Sequence, residues 1–371
     1  VKKELLARRT ELIDSSGIRK IFDLGANLEN PIDLSIGQPD FDVPEPVKEA
    51  AKKAIDQGFN RYTVTRGLPE LRAAVTEKYR QRGIDTEDSM ITSGTSGGIL
   101  LSLACILNEG DEILIPDPYF VMYKHLVNFL GGKPVFVDTY PDFRLTRERI
   151  GPLVSERTKA IVLNSPRNPT GSVMSREEIE MVADIARRND LLVISDEIYD
   201  LFQYDDEPIS IAGMYPKTLV LNGFSKFAAM TGWRVGYALG PADLIAAMAD
   251  VQQYSFVCAP SFAQKAALVA LETDVSGYIE AYRRKRDRIY EGLKNRFDIQ
   301  LSGGAFYAFP GTRNGDGDAF VAEAIKAGVL VVPGSVFSER KTHFRISFAA
   351  TDATIEKGID VLNRLAERFW G

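Results

Sequence analysis

Cysteine and histidine are scarce in this chain, with two of each among 371 residues. Cys105 and Cys258 lie far apart, so neither a disulfide framework nor a thiolate metal site is suggested. His125 and His343 fit no H-E-x-x-H or C-x-x-C grouping, and no zinc or other metal site is expected. Long apolar runs are also missing; none reaches the roughly 18 residues needed to span a bilayer. Basic charge is in deficit, with 45 Lys and Arg against 51 Asp and Glu for a net charge of -6. That balance argues against nucleic acid as a main partner, because a phosphate backbone attracts a basic face. The first stretch, VKKELLARRTELIDSSG (1–17), is charged, helical in pattern and without a secretory core. A soluble cytoplasmic protein is expected, with no membrane partner.

What the chain has is ordinary globular material, 45% hydrophobic and 26% charged, in a length sufficient for two domains. Short Val/Ile/Leu-rich runs recur through the middle: EILIP (112–116), PVFVD (134–138), KAIVLN (159–164), LLVIS (191–195) and TLVLN (218–222). Amphipathic helical stretches such as SREEIEMVADIARRND (175–190) separate them. That alternation indicates an α/β fold with a mostly parallel sheet flanked by helices on both faces. At Gly277 the pattern changes to one long charged helix, YIEAYRRKRDRIYEGLKNRF (278–297), followed by new short strands and helices. The expected organisation is a large domain over 46–276 and a smaller α+β domain. The smaller one is built from the N-terminal segment 1–45 and the C-terminal part 277–371. No internal repeat or low-complexity segment is visible.

Open parallel sheets bind ligands beyond the carboxyl ends of their strands, so the residues just after each run matter most. After the strand near Met90 comes Gly94-Thr95-Ser96-Gly97-Gly98, which satisfies the G-x-S-x-G of a hydrolase nucleophile elbow. The same letters make a small-residue turn opening a helix, where a phosphate is favoured. The other runs are followed by Phe120, by Asn168, by Asp196 and Tyr199, and by Ser225 and Lys226, with Arg234 a little beyond. A lysine amine becomes a covalent catalyst by forming a Schiff base with an aldehyde. Pyridoxal 5′-phosphate offers an aldehyde, a pyridine nitrogen, a phenolic oxygen and a phosphate, and this rim matches each of them. Asp196 can hold the pyridine nitrogen protonated. Tyr199 and Asn168 can bond the phenolic oxygen. Gly94, Thr95 and Ser96 can receive the phosphate with help from Arg234, and Phe120 can stack on the ring. The hydrolase alternative requires Asp318 and His343 as partners for Ser96 and lacks an HGGG-type oxyanion segment.

Several segments carry a family resemblance. NGFSKFAAMTGWRVGY (222–237), NPTG (168–171) and SDEIYD (195–200) resemble, in order, motifs of the class I/II aminotransferases of pyridoxal-phosphate fold type I. IGQPDFDVP (36–44) and NRYTVTRGLPELRAAV (60–75) are similar to that family's N-terminal signatures, and HFRISFA (343–349) to its C-terminal arginine strand. The resemblance implies Lys226 as the Schiff-base lysine, with Asp196 and Tyr199 as the other catalytic residues, and Asn168 at the phenolic oxygen. It further implies Arg234 at the phosphate and Arg345, with Gly37 and Asn168, at the substrate carboxylate. Tyr62 matches a tyrosine that the family sends across a homodimer interface to the other subunit's phosphate. One departure stands out: many members have serine three positions before the lysine, where this chain has Gly223, and Ser225 or Ser96 is expected to compensate.

The implied activity is ping-pong transfer of an amino group between an L-amino acid and a 2-oxo acid, with 2-oxoglutarate and glutamate as one pair. A carbon–sulfur β-lyase on the same fold and a non-catalytic pyridoxal-phosphate-binding regulator are the alternatives. Recognition of an acidic side chain requires a second cation, for which Lys124, Arg19 and Arg66 are the candidates. The aromatics of QQYSFVCAPS (252–261) point instead to apolar or aromatic substrates.

Overall fold

The computed structural model describes residues 5–13, Gly17 and 29–370. Among the described residues the first strand is β1 (Ile32–Asp33). It is followed by β2 (Asp88–Ser93), β3 (Glu112–Asp117), β4 (Lys133–Asp138) and β5 (Thr158–Asn164). Next come β6 (Leu192–Asp196), β7 (Thr218–Gly223) and β8 (Val235–Gly240). The seven strands β2 to β8 form one sheet in the order β2-β8-β7-β6-β5-β3-β4. Only β8 runs against its neighbours; the β7–β6, β6–β5, β5–β3 and β3–β4 pairs are all parallel.

Successive strand side chains point to opposite faces, and here both faces are buried. Along β5, Ala160 and Val162 join a core with Ile99 and Leu103 of helix Gly94–Ile106 and Met248 of helix Ala242–Gln253. Ile161 and Leu163 point the other way, into a core with Ile179, Val182 and Ala186 of helix Arg176–Arg188. That last helix starts where the sequence says it should. Ser175 accepts a bond from the Glu178 amide while Glu178 reaches back to the Ser175 amide, satisfying two otherwise orphaned donors.

The later strands are β9 (Tyr307–Ala308), β10 (Val329–Leu330), β11 (Val332–Pro333) and β12 (Phe344–Ser347). Strands β11, β12 and β9 make an antiparallel sheet, and β1 pairs in parallel with β10. The N-terminal and C-terminal parts of the chain are thereby tied together, and Ser347 also donates its amide to the Leu34 carbonyl at 2.8 Å. The long charged helix runs from Ser276 to Leu293, beginning two residues before the expected start. Within the N-terminal stretch of helical pattern, Arg8–Leu12 form a five-residue 3-10 helix, and residues 1–4 and 14–16 lie outside the described residues. None of the residues of this short helix is buried. No helix among the described residues is long and apolar enough to cross a membrane.

Candidate active site

A cavity of about 780 Å³ opens at the carboxyl ends of the parallel strands. Because β8 is antiparallel, its beginning lies at the same rim, which is how Arg234 arrives beside residues that follow β2 and β7. The cavity wall includes Asn168, Asp196, Tyr199, Ser225, Lys226 and Arg234. Thr95, Ser96 and Phe120 line it from two helix starts, and Gly37 and Arg345 from the β1/β12 side.

Lys226 lies in the turn just after β7, and its ammonium donates to the Gly37 carbonyl at 2.7 Å. It also rests 5.6 Å from the Tyr199 ring centroid and 5.9 Å from that of Phe306. Withdrawal from water pushes its pKa down to about 8; Arg345 and Arg234 add to the shift and Asp196 opposes it. Asp196 closes β6 and is 3% exposed. Burial pushes its carboxyl up to about 6, against the pull of hydrogen bonds from the Tyr123 hydroxyl and the Ile198 amide and of the Lys226 charge. Asn164, the last residue of β5, ties its neighbours together: its side chain donates to the Asp196 carbonyl and accepts from the Asn168 amide, both at 2.9 Å. The Tyr199 hydroxyl meets that of Tyr307 at 2.9 Å.

At the other end of the cavity, Gly94 opens its helix with a φ of +66°, where a side chain would be strained. A Cβ there would also stand 2.5 Å from the Arg234 Nη2, so only glycine lets the guanidinium close over the helix N-terminus. Arg234 is anchored by bonds from Nη1 to the Thr231 carbonyl at 3.0 Å and from Nη2 to the Ser93 carbonyl at 3.4 Å. The hydroxyl of Thr95 is buried there with no hydrogen-bond partner. Gly223 explains its own departure. A Cβ at that position would lie 3.1 Å from the Thr95 Oγ1 and 2.9 Å from the Gly236 Cα. A side chain at 223 would therefore crowd the β8 backbone and the Thr95 hydroxyl.

Arg345 is 1% exposed on β12. Its Nη1 donates to the Asn168 Oδ1 at 3.0 Å and its Nη2 to the Ser35 carbonyl at 2.8 Å, while Nε is buried without a partner. The guanidinium lies 4.5 Å from the ring centroids of both Tyr307 and Phe337. Among the described residues no carboxylate pairs with it.

Helix starts, an unpaired hydroxyl and two arginines suit a phosphate at one end and a carboxylate at the other. The orphaned Thr95 Oγ1 and Arg345 Nε and the cradle over Gly94 are features that a bound pyridoxal phosphate and an amino acid would complete. The hydrolase partners of Ser96 do not assemble. His343 stacks on Phe309 at 5.2 Å, away from the cavity wall, and burial pushes its pKa down to about 4.

Two of the three suggested second cations are committed elsewhere. Lys124 pairs with Glu339 at 2.6 Å and Arg66 with Asp88 at 2.5 Å, and neither lines the cavity. Arg19 lies outside the described residues. Helix Val121–Phe129 instead lines the cavity with Val121, Met122, His125 and Leu126, joined by Ile13. Tyr62 is 83% exposed and does not line the cavity of its own chain. Asn164 and Tyr307, which line the cavity, were not singled out in the sequence. Asn164 ends a recognised strand and was open to the rim argument, whereas Tyr307 lies in a two-residue strand with no motif.

Comparison with known proteins is consistent with this geometry. A family description, "Aminotransferase class I and II", matches residues 29–362. A probable aspartate aminotransferase of Methanocaldococcus jannaschii is 38% identical, covering 98% of this chain and 100% of its own. The aromatic-amino-acid aminotransferase 2 of Thermococcus litoralis is 39% identical over 97% and 98% of the two chains. The solved aspartate aminotransferase of Thermus thermophilus with maleate superposes with a TM-score of 0.94 at 37% identity, covering 97% of this chain and 99% of that one. The chain therefore belongs to the class I and II aminotransferases, pyridoxal-phosphate-dependent enzymes of fold type I.

Proposed function

We propose that this aminotransferase exchanges the amino group of an L-amino acid with a 2-oxo acid by a ping-pong route, with 2-oxoglutarate and glutamate as one pair. The observation that carries this reading is the convergence of Lys226, Asp196 and an Arg345 free of carboxylates among the described residues on one cavity. When bound, pyridoxal phosphate supplies a carbonyl that condenses with amines and a ring that withdraws electrons from the substrate's α-carbon. Lys226 would hold the cofactor, and its neutral amine would take the substrate's α-proton. Its lowered pKa supports that role, because a larger share of the amine is unprotonated near neutral pH. Asp196 keeps the ring nitrogen charged, and Tyr199 and Asn168 bond the phenolic oxygen. Phe120 stacks on the ring. Thr95, Ser96, Ser225, Arg234 and the amides from Gly94 hold the phosphate. Arg345 grips the substrate carboxylate with two parallel bonds, assisted by Gly37 and Asn168.

The working unit in this reading is a cytoplasmic homodimer. Tyr62, Val64 and Tyr254, at 83%, 62% and 88% exposed, give an apolar face that a second copy would cover. They belong to one surface, because Gln252 donates to the Thr65 carbonyl at 2.6 Å and Gln264 to the Thr63 hydroxyl at 3.2 Å. Tyr62 then serves the partner's phosphate. The two domains divide near residues 45 and 276, and closure of the smaller one excludes water from the site.

The test is a panel of amino donors with 2-oxoglutarate and the purified holoenzyme. Glutamate formation that requires both substrates is expected, with aromatic and aliphatic donors favoured by the apolar side chains of Ile13, Val121, Met122 and Leu126. Release of a thiol, ammonia and a 2-oxo acid from a β-thio amino acid, without any acceptor, would instead identify a carbon–sulfur lyase.

A further inference from the structure

Asp196 is held by a residue that takes no part in the main cavity wall. Tyr123 is 2% exposed on helix Val121–Phe129, and its hydroxyl donates to Asp196 Oδ2 at 2.6 Å. The other carboxylate oxygen accepts the longer bond from the Ile198 amide, at 3.3 Å. The Tyr123 ring also meets Phe120 edge to face at 5.7 Å. One side chain therefore braces both the carboxylate and the aromatic ring of the cavity wall.

We propose that Tyr123 is a positioning residue that keeps Asp196 ionised and thereby keeps the cofactor's ring nitrogen protonated. The proposal rests on the reading that Asp196 faces that nitrogen. A carboxyl and a pyridine sharing one proton can exist as an ion pair or as a neutral pair. Burial favours the neutral pair, since it penalises charge. A short bond from a hydroxyl to the carboxylate favours the ion pair, and 2.6 Å lies in the range of charge-assisted O–H···O bonds. Tyr123 stays a donor, because burial and the Asp196 charge push its own pKa well above the ordinary tyrosine range. The other groups that bear on this balance are Lys226, whose charge favours an ionised Asp196, and the phenol of Tyr199. Arg167 acts on the Tyr123 side, and Asn164 bonds the Asp196 main-chain carbonyl. Among these neighbours, Tyr123 supplies the side-chain hydrogen bond to the Asp196 carboxylate.

The experiment is nitrogen NMR of the holoenzyme loaded with cofactor labelled with ¹⁵N in the ring. In the wild type the signal should be that of a protonated ring nitrogen at neutral pH. Tyr123→Phe keeps the ring beside Phe120 and removes the donor. Its signal should move toward the unprotonated value, and kcat should fall roughly ten- to a hundredfold with KM within about twofold. Asp196→Asn is the control for the underlying reading. If neither variant moves the signal, Asp196 does not face the nitrogen; if Asp196→Asn moves it and Tyr123→Phe does not, Tyr123 has no such role. Should Tyr123→Phe fail to fold, 3-fluorotyrosine in place of Tyr123 provides a more acidic donor of nearly the same shape. With the donor retained, the nitrogen signal at neutral pH should stay at the protonated value, and a signal moved toward the unprotonated value overturns the proposal.

Discussion

Arg345 Nη1 donates to Asn168 Oδ1 at 3.0 Å, joining β12 of the small antiparallel sheet to the loop that follows β5 of the large one. Two residues 177 positions apart thus meet at the floor of one cavity, and the arginine remains without a carboxylate among the described residues. A buried guanidinium in that condition is costly unless a ligand completes it.

Arg345→Lys replaces a two-pronged grip with a point charge. KM for both the amino acid and the oxo acid should rise, and kcat/KM should drop by at least about tenfold, since hydrogen bonds to charged groups contribute about 1.5–3 kcal/mol each. Cofactor affinity should be almost unchanged. Steady-state kinetics with an amino acid and with a simple amine lacking a carboxylate provide the check. Equal losses for the two would mean that Arg345 serves the fold.

Thr95→Val removes a buried hydroxyl that has no partner in the protein while keeping the side chain's shape. The apoenzyme should be as stable as the wild type or slightly more so, because an unsatisfied polar atom is replaced by an apolar one. Cofactor affinity should weaken by about 1.5–3 kcal/mol if that hydroxyl bonds the phosphate. Thermal melts of apoenzyme and holoenzyme read both effects, and a loss confined to the apoenzyme would point to packing alone.

Covalent capture of the cofactor by the apoenzyme should depend on pH through Lys226. Burial, aided by Arg345 and Arg234, holds the ammonium less tightly than in water, so its pKa falls to about 8. Only the neutral amine attacks a carbonyl, so the capture rate should rise with pH, by about tenfold between pH 7 and pH 9. Stopped-flow absorbance measures this rate. A rate still climbing steeply near pH 10 would show that the amine is not perturbed.

Tyr62 can be assigned to a site by mixing subunits. In a hybrid of Lys226→Ala and Tyr62→Ala chains, one site carries both lesions and the other is intact, provided that Tyr62 serves the neighbour. Random exchange should then restore up to about a quarter of wild-type activity. No recovery despite demonstrated exchange would place Tyr62 at its own chain's site.

Much of the fold was legible because apolar β-rich runs mark buried parallel strands: EILIP and KAIVLN match β3 and β5 to within one residue at either end. The rim argument then brought together a polar part of the cavity wall, Asn168, Asp196, Tyr199, Lys226 and Arg234 among it, since residues following such strands share one edge of the sheet. Strand β8, VGYALG, was missed as a strand because its two glycines dilute the pattern, and its reversed direction cannot be read from composition. Two of the suggested second cations, Lys124 and Arg66, misled for a related reason. Lys124 is satisfied by Glu339, 215 residues away, and such a pairing leaves no local trace. Tyr123 was hidden likewise, since its partner Asp196 lies 73 residues on.

The most direct measurement is borohydride reduction of the holoenzyme followed by peptide mapping. Reduction should convert the lysine–cofactor linkage to a stable secondary amine, and the label should appear on the peptide containing Lys226. Lys226→Ala should take up no reduced label and should lose nearly all turnover while still binding the cofactor weakly through its phosphate and ring. A label on another lysine, or full turnover by Lys226→Ala, would contradict the assignment of this cavity as the catalytic site.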